Sequence, residues 1–168
     1  MKIFLVGMPG SGKSTLGRQL SDELSIPFVD LDEEIERREG QAIKDIFALH
    51  GEDHFRVVES ELLRHFAALP ESLVLSTGGG APCFYDGMRI LNDNGLTIFL
   101  KVPQEKLIKR LEESKDRPLL DKDIENKRER VVKMLNARLP VYSRAALIIT
   151  DPDVTKVLSA IRERGAYQ

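Results

Sequence analysis

The chain has 168 residues, 42% of them hydrophobic, enough for one compact domain with its own core and too few for two. Its 25 Lys/Arg against 27 Asp/Glu give a formal charge of −2, which argues against nucleic acid as the main partner, because phosphate-backbone binding depends on clustered positive charge. A single cysteine, Cys83, excludes an intramolecular disulfide and leaves too few thiolates for a structural zinc or iron–sulfur centre, which fits a reducing compartment.

In chain order, residues 3–6 are a continuous apolar run closed by Gly7, the pattern of a strand buried on both faces of a parallel sheet rather than of a cleaved signal. Residues 14–24 follow with Leu16, Leu20 and Leu24 four apart on one helical face. Further short apolar runs at 27–29, 73–75, 96–100 and 146–149 alternate with charged segments of helical period. Five strands alternating with helices imply βαβ units and an α/β fold, a three-layer αβα sandwich around a five-stranded parallel sheet. Pro103 is placed to start the helix carrying Leu107 and Leu111, and Pro70, Pro118 and Pro140 mark breaks or helix starts. No apolar run approaches the ~20 residues needed to span a bilayer, so a cytoplasmic protein without a membrane partner is expected. No long apolar stripe remains after the core helices are assigned, so a monomer is the default.

Charge is uneven along the chain. Residues 1–100 hold 9 Lys/Arg against 16 Asp/Glu, and residues 101–144 hold 13 against 8, which is either a solvated helical face or a local anion site. Residues 113–121 have no apolar period and lie between two helical patterns, the place for a mobile lid or an ordinary surface loop.

Gly7-Met8-Pro9-Gly10-Ser11-Gly12-Lys13-Ser14 fits G-x-x-x-x-G-K-[ST] with a strand before it and a helix after it. In such a loop the backbone N–H groups around Gly10, Ser11, Gly12 and Thr15 turn toward phosphate oxygens, and the helix N-terminus adds partial positive charge. Lys13 would reach the β- and γ-phosphates of a nucleoside triphosphate, and Ser14 would offer its hydroxyl to Mg²⁺.

The acceptor half is less explicit. Asp30 and Asp32 sit at the end of the second predicted strand, where open α/β sheets bind ligands. Asp30 would order a water on Mg²⁺ and Asp32 would take the proton of an attacking hydroxyl, unless both merely begin the next helix, where acids favour the N-terminus. Arg56 and Glu59 are three apart on a helical face, a pair that by itself could be a surface ion pair. Gly78, Gly79 and Gly80 follow a buried strand and would let backbone approach a ligand closely, or simply form a tight turn. Each of Arg56, Arg117 and Arg138 taken singly reads as a solvated arginine; in combination, Arg56 and Arg138 would grip a carboxylate with their rigid forks, and Arg117, in the expected lid, would face the transferred phosphoryl.

Together these segments resemble shikimate kinase, in the nucleoside-monophosphate-kinase-like group of P-loop folds. The resemblance runs through 7–15, Asp30-Leu31-Asp32, Gly51-Glu52-Asp53-His54-Phe55-Arg56-Val57-Val58-Glu59, Ser76-Thr77-Gly78-Gly79-Gly80, Arg117-Pro118-Leu119-Leu120 and Arg138-Leu139-Pro140-Val141-Tyr142, in that order. It implies a single kinase domain over 1–168, with a substrate-binding region at about 31–60 and a lid at about 112–124. It also implies transfer of the γ-phosphoryl of ATP to the 3-hydroxyl of shikimate in aromatic amino-acid biosynthesis. By the same resemblance Asp32, Arg56, Gly79 or Gly80 and Arg138 contact shikimate, Glu59 orients Arg56, Arg117 meets the phosphates, and Arg110 packs on adenine. Residues 150–153 give no match to the family's last adenine contact.

The rivals are a gluconate or nucleotide kinase on the same scaffold, a nucleotide-dependent switch, and a non-catalytic binding module. For a guanine-binding switch, Asn126-Lys127-Arg128-Glu129 is a poor match inside a predicted helix. Cys83 reads as a small buried thiol with no basic neighbour evident, and His50, His54 and His65 have no metal-ligand spacing.

Overall fold

In the computed structural model, which describes residues 1–113 and 124–165, strand β1 (Lys2–Val6) is buried at every position after Lys2. It lies at the centre of a five-stranded sheet with β2 (Phe28–Asp30), β3 (Leu73–Ser76), β4 (Leu96–Lys101) and β5 (Leu147–Thr150), in the order β2-β3-β1-β4-β5. Every pairing is parallel. The period-2 geometry of β1 sends Ile3 and Leu5 to one face and Phe4 and Val6 to the other, so the strand is shared between two cores.

Helices α1 (Lys13–Leu24) and α7 (Val154–Glu163) cover the first face with Leu16, Leu20, Leu24, Val157, Leu158 and Ile161. The opposite face is covered by α2 (Leu31–Glu39), α3 (Ile43–Ala68), α4 (Gly87–Asn94), α5 (Gln104–Glu113) and α6 (Ile124–Tyr142). This is the expected αβα sandwich. α3 is two helical stretches joined at Gly51, whose φ of 82° and ψ of 172° break the helical path.

Two local expectations change, and one edge of the sheet is half exposed. The second strand stops at Asp30, and Asp32 belongs to the first turn of α2 rather than to a strand end. Pro140 neither breaks nor starts a helix but lies inside α6, two residues before its end, where only one backbone bond is forfeited. β5 is an edge strand: Leu147 and Ile149 pack beside α1 and α7, while Ile148 on the other side is 47% exposed. The three histidines all lie on α3, and among the described residues no group of His, Cys, Asp and Glu could hold a metal ion. No described helix is long and apolar enough to cross a membrane. The Asn126–Glu129 segment is helical, within α6.

Sheet order places the site. β1 has β3 on one side and β4 on the other, and the chain crosses from one half of the sheet to the other after β3. The C-terminal ends of β1, β2 and β3 therefore open into one crevice at the topological switch point.

Candidate functional site

The loop after β1 ends at Gly12, which caps α1 with φ 86° and ψ 19°, a left-handed conformation that glycine adopts at little cost. Lys13 is the first helical residue and is only 8% exposed. Its Nζ donates to the carbonyls of Gly7 at 2.8 Å and Met8 at 2.9 Å, with Ser11 Oγ at 3.4 Å. The ammonium is thus held inside the turn that its own loop makes. From α5, Arg110 Nη1 donates to the Gly10 carbonyl at 3.0 Å and lies 4.0 Å from where a Cβ on Gly12 would be. Arg110, expected against adenine, here lies on the phosphate loop. Thr15 is exposed on α1 and Ser11 is buried.

At the end of β2, Asp30 divides its carboxylate. Oδ1 accepts from the backbone N–H of Asp32 at 3.0 Å and of Glu33 at 3.3 Å, capping α2, while Oδ2 accepts from Ser14 Oγ. Asp30 thus caps α2 with one oxygen and meets the phosphate-loop serine with the other. Ser76 Oγ stands 3.4 Å from Ser14 Oγ. Two hydroxyls and a carboxylate are hard oxygen donors of the kind Mg²⁺ takes, so the residues present fit that ion.

The three glycines after β3 each face a different charged residue. A Cβ on Gly78 would lie 2.9 Å from Glu59 Oε2 and 3.0 Å from Asp32 Oδ1. On Gly79 it would lie 2.8 Å from Arg138 Nη1 and 2.8 Å from Pro9 Cδ. On Gly80 it would lie 2.4 Å from Arg56 Nη1. Asp32 from α2, Arg56 and Glu59 from α3 and Arg138 from α6 are thereby gathered over one stretch of side-chain-free backbone, beside the phosphate loop.

Arg56 and Glu59 are both buried, and Arg56 Nη1 donates to Glu59 Oε1 at 2.7 Å. Arg56 Nε reaches Glu52 at 3.4 Å. Burial pushes the Glu59 carboxyl above its ordinary 4.5, the Arg56 guanidinium opposes this, and the Asp32 carboxylate adds to it. Tyr142, fully buried, donates its hydroxyl to the Gly79 carbonyl at 2.5 Å and also contacts the Arg138 side chain; burial raises its phenol far above the usual range. Cys83 is half-buried and burial raises its thiol, but Arg138 and Arg56 both act on it, so the sequence reading that no basic group is near is corrected.

Asp32, Arg56 and Arg138 meet over Gly78, Gly79 and Gly80 beside the phosphate loop, Ser14 meets Asp30, and Arg110 lies on the loop, whereas Thr15 is exposed on α1. Arg117 and the core of the expected lid fall outside the described residues. Two contributors were missed. Tyr142 follows Arg138 by four residues, so helical spacing already placed them on one face. Phe84, whose ring lies 4.2 Å from the Arg56 guanidinium carbon, carries no signal in the sequence, because its contact is made between a loop and α3.

A family model described as shikimate kinase matches residues 9–164. The chain belongs to the shikimate kinase family. A shikimate kinase of Parabacteroides distasonis is 40% identical over 168 residues, covering 95% of this chain and 96% of that one. Another, of Bacteroides thetaiotaomicron, is 41% identical over 150 residues, 88% of this chain and 85% of its own. A crystal structure of shikimate kinase from B. thetaiotaomicron superposes with a TM-score of 0.87 at 36% identity, covering 99% of this chain and 97% of that one. The Acinetobacter baumannii shikimate kinase in complex with shikimate superposes with a TM-score of 0.84 at 34% identity, covering 98% and 92%. The α/β P-loop kinase fold expected from the sequence is the fold of these shikimate kinases.

Proposed function

We propose that this chain transfers the γ-phosphoryl of ATP to the 3-hydroxyl of shikimate, giving shikimate 3-phosphate and ADP. The carrying observation is the convergence of Asp32, Arg56, Glu59 and Arg138 on Gly78, Gly79 and Gly80, within reach of the phosphate loop. Two arginines suit the carboxylate of the acceptor, and a carboxylate beside them suits a hydroxyl.

Arg56, oriented by Glu59, and Arg138 hold the acceptor carboxylate, and the amides around Gly79 and Gly80 accept the ring closely. Asp32 orients the 3-hydroxyl and takes its proton as the oxygen bonds to the γ-phosphorus and the bond to the β–γ bridging oxygen breaks. Lys13 leaves the loop carbonyls for the β- and γ-phosphates and offsets the charge that moves onto ADP. Gly10, Ser11, Gly12 and Thr15 bind the phosphate chain, and Arg110 bridges the loop to the nucleotide. Ser14 directly, and Asp30 through water, would hold Mg²⁺, which supplies charge neutralisation on the β- and γ-oxygens. Residues 1–168 act as one kinase domain and as a monomer in the cytoplasm, with 31–60 as substrate-binding region and 112–124 as a lid that brings Arg117 to the phosphates and excludes water.

The test is ADP formation from Mg·ATP with no acceptor, with shikimate, with gluconate and with nucleoside monophosphates. Turnover with shikimate alone is expected. Turnover with gluconate or a nucleotide would overturn the acceptor assignment, and turnover without acceptor would favour a nucleotide-dependent switch.

A further inference from the structure

The Arg56 guanidinium is enclosed on more sides than a carboxylate grip requires. Nε and one N–H of Nη1 are given to Glu52 and Glu59, so the second N–H of Nη1 and both of Nη2 are left to meet a ligand in the guanidinium plane. Two aromatic rings lie against the same group, Phe55 at 5.2 Å and Phe84 at 4.2 Å from the central carbon. Phe55 is a core residue of α3, but Phe84 is 37% exposed and lies outside the core clusters. A partly exposed ring thus lies against a buried cation.

The backbone that carries Phe84 is strained. Tyr85 and Asp86, the next two residues, have φ of 48° and 59°, left-handed conformations in consecutive non-glycine residues, one of them bulky. Such geometry persists only where surrounding contacts over-determine it. Here Arg64 Nη2 on α3 donates to the Tyr85 carbonyl at 3.0 Å, Gly87 N–H donates to the Phe84 carbonyl at 2.9 Å, and Ile90 N–H donates to the Asp86 carbonyl at 3.0 Å. Gly87 packs so tightly that a Cβ there would lie 2.2 Å from the Ala81 carbonyl oxygen. The turn is thus locked to the helix that bears Arg56 and to the short 3₁₀ turn (Ala81–Cys83) after the triple glycine.

We propose that Phe84 is a positioning residue for acceptor recognition, its ring fixed by the strained Tyr85-Asp86 turn against Arg56 so that the guanidinium stays dehydrated and presents its remaining N–H groups edge-on to the acceptor carboxylate. The ring face attracts the cation and blocks water from it, and a cation kept from water gives a stronger charge-assisted bond to the carboxylate. This rests on the reading that Arg56 binds the carboxylate of shikimate.

The experiment is isothermal titration of shikimate into the full chain, with KM for ATP and the melting temperature measured alongside. Phe84→Leu and Phe84→Met remove the π face and keep most of the volume; each is expected to weaken shikimate binding about tenfold, the scale of a cation–π contact on a shielded cation. Phe84→Tyr keeps the ring and is expected to restore binding. KM for ATP and the melting temperature stay near the parent values. In an Arg56→Gln background the Phe84→Leu change is expected to have no further effect. The proposal is overturned by parent-like binding in both ringless variants, by the same loss persisting with Gln at 56, or by ATP affinity and melting temperature falling in parallel. Parent protein that does not bind shikimate, or Arg56→Gln that binds it as tightly as the parent, locates the fault in the acceptor reading and removes this proposal with it.

Discussion

Gly80 lies so close to Arg56 that a Cβ on the glycine would be 2.4 Å from Nη1 and 2.6 Å from Nη2 of the guanidinium. Gly80 has φ −89° and ψ −16°, a conformation open to any residue, so what excludes a side chain there is space and not backbone strain. Gly80→Ala is therefore expected to fold, with a lowered melting temperature, because the enclosed guanidinium must shift against Glu59 to make room. That movement takes Arg56 off its line to the acceptor, and displacements of about 1 Å at positioning groups cost on the order of 100-fold in rate. Steady-state kinetics with shikimate should show kcat/KM falling on that scale while KM for ATP holds; an unchanged KM for shikimate would contradict the packing argument.

Asp30 serves two structures with two oxygens, and two substitutions separate them. Asp30→Asn keeps an acceptor for the α2 cap and removes the charge beside Ser14. It should retain the parent's urea midpoint and require more Mg²⁺ for half-maximal ADP formation. Asp30→Ala should lose both, with about 1 kcal/mol of stability gone with the cap.

Glu59 gives the site an acid limit that is not unfolding. Its folded pKa lies above the ordinary 4.5, so the folded state holds the proton more tightly than the unfolded state. The stability linked to this proton is complete below 4.5 and is lost as pH rises through the raised folded value, so acidification adds stability at this residue. Function runs the other way, because protonated Glu59 no longer orders Arg56 by charge. Shikimate titrations at decreasing pH should show binding weakening as pH falls through the raised folded pKa of Glu59, without a Glu59-linked fall in melting temperature. Glu59→Gln should bind less tightly at neutral pH and show a flatter acid limb.

Tyr142 holds the Gly79 carbonyl from below. Tyr142→Phe leaves that carbonyl without its donor, which costs about 1–3 kcal/mol for a buried group. Urea unfolding measures this directly. The phenol's folded pKa is raised far above its ordinary 10.0, so its contribution is fully present below that value and lost only as pH rises through the folded one. The difference between Tyr142→Phe and parent should therefore be constant across neutral pH.

How much of this was legible beforehand depends on the range of the interaction. The phosphate loop is local: a strand, a glycine-rich turn and a helix start are adjacent in sequence, so Gly7 to Thr15 carried both their geometry and their chemistry. The alternation of apolar runs and helical periods likewise determined the α/β class, because a strand buried on both faces must be apolar throughout. Asp32, Arg56, Gly78 to Gly80 and Arg138 could be named from residue type and resemblance, yet nothing along the chain required them to meet. The tertiary structure decided that, by ordering the sheet β2-β3-β1-β4-β5 so that the ends of β1, β2 and β3 share one crevice. It also decided the contacts made at van der Waals range across elements: Phe84 on Arg56, Tyr142 beneath Gly79, and Asp30 divided between a helix cap and Ser14. Those depend on distances between residues up to 63 positions apart, which no local pattern encodes, because packing selects them only after the chain has closed around its core.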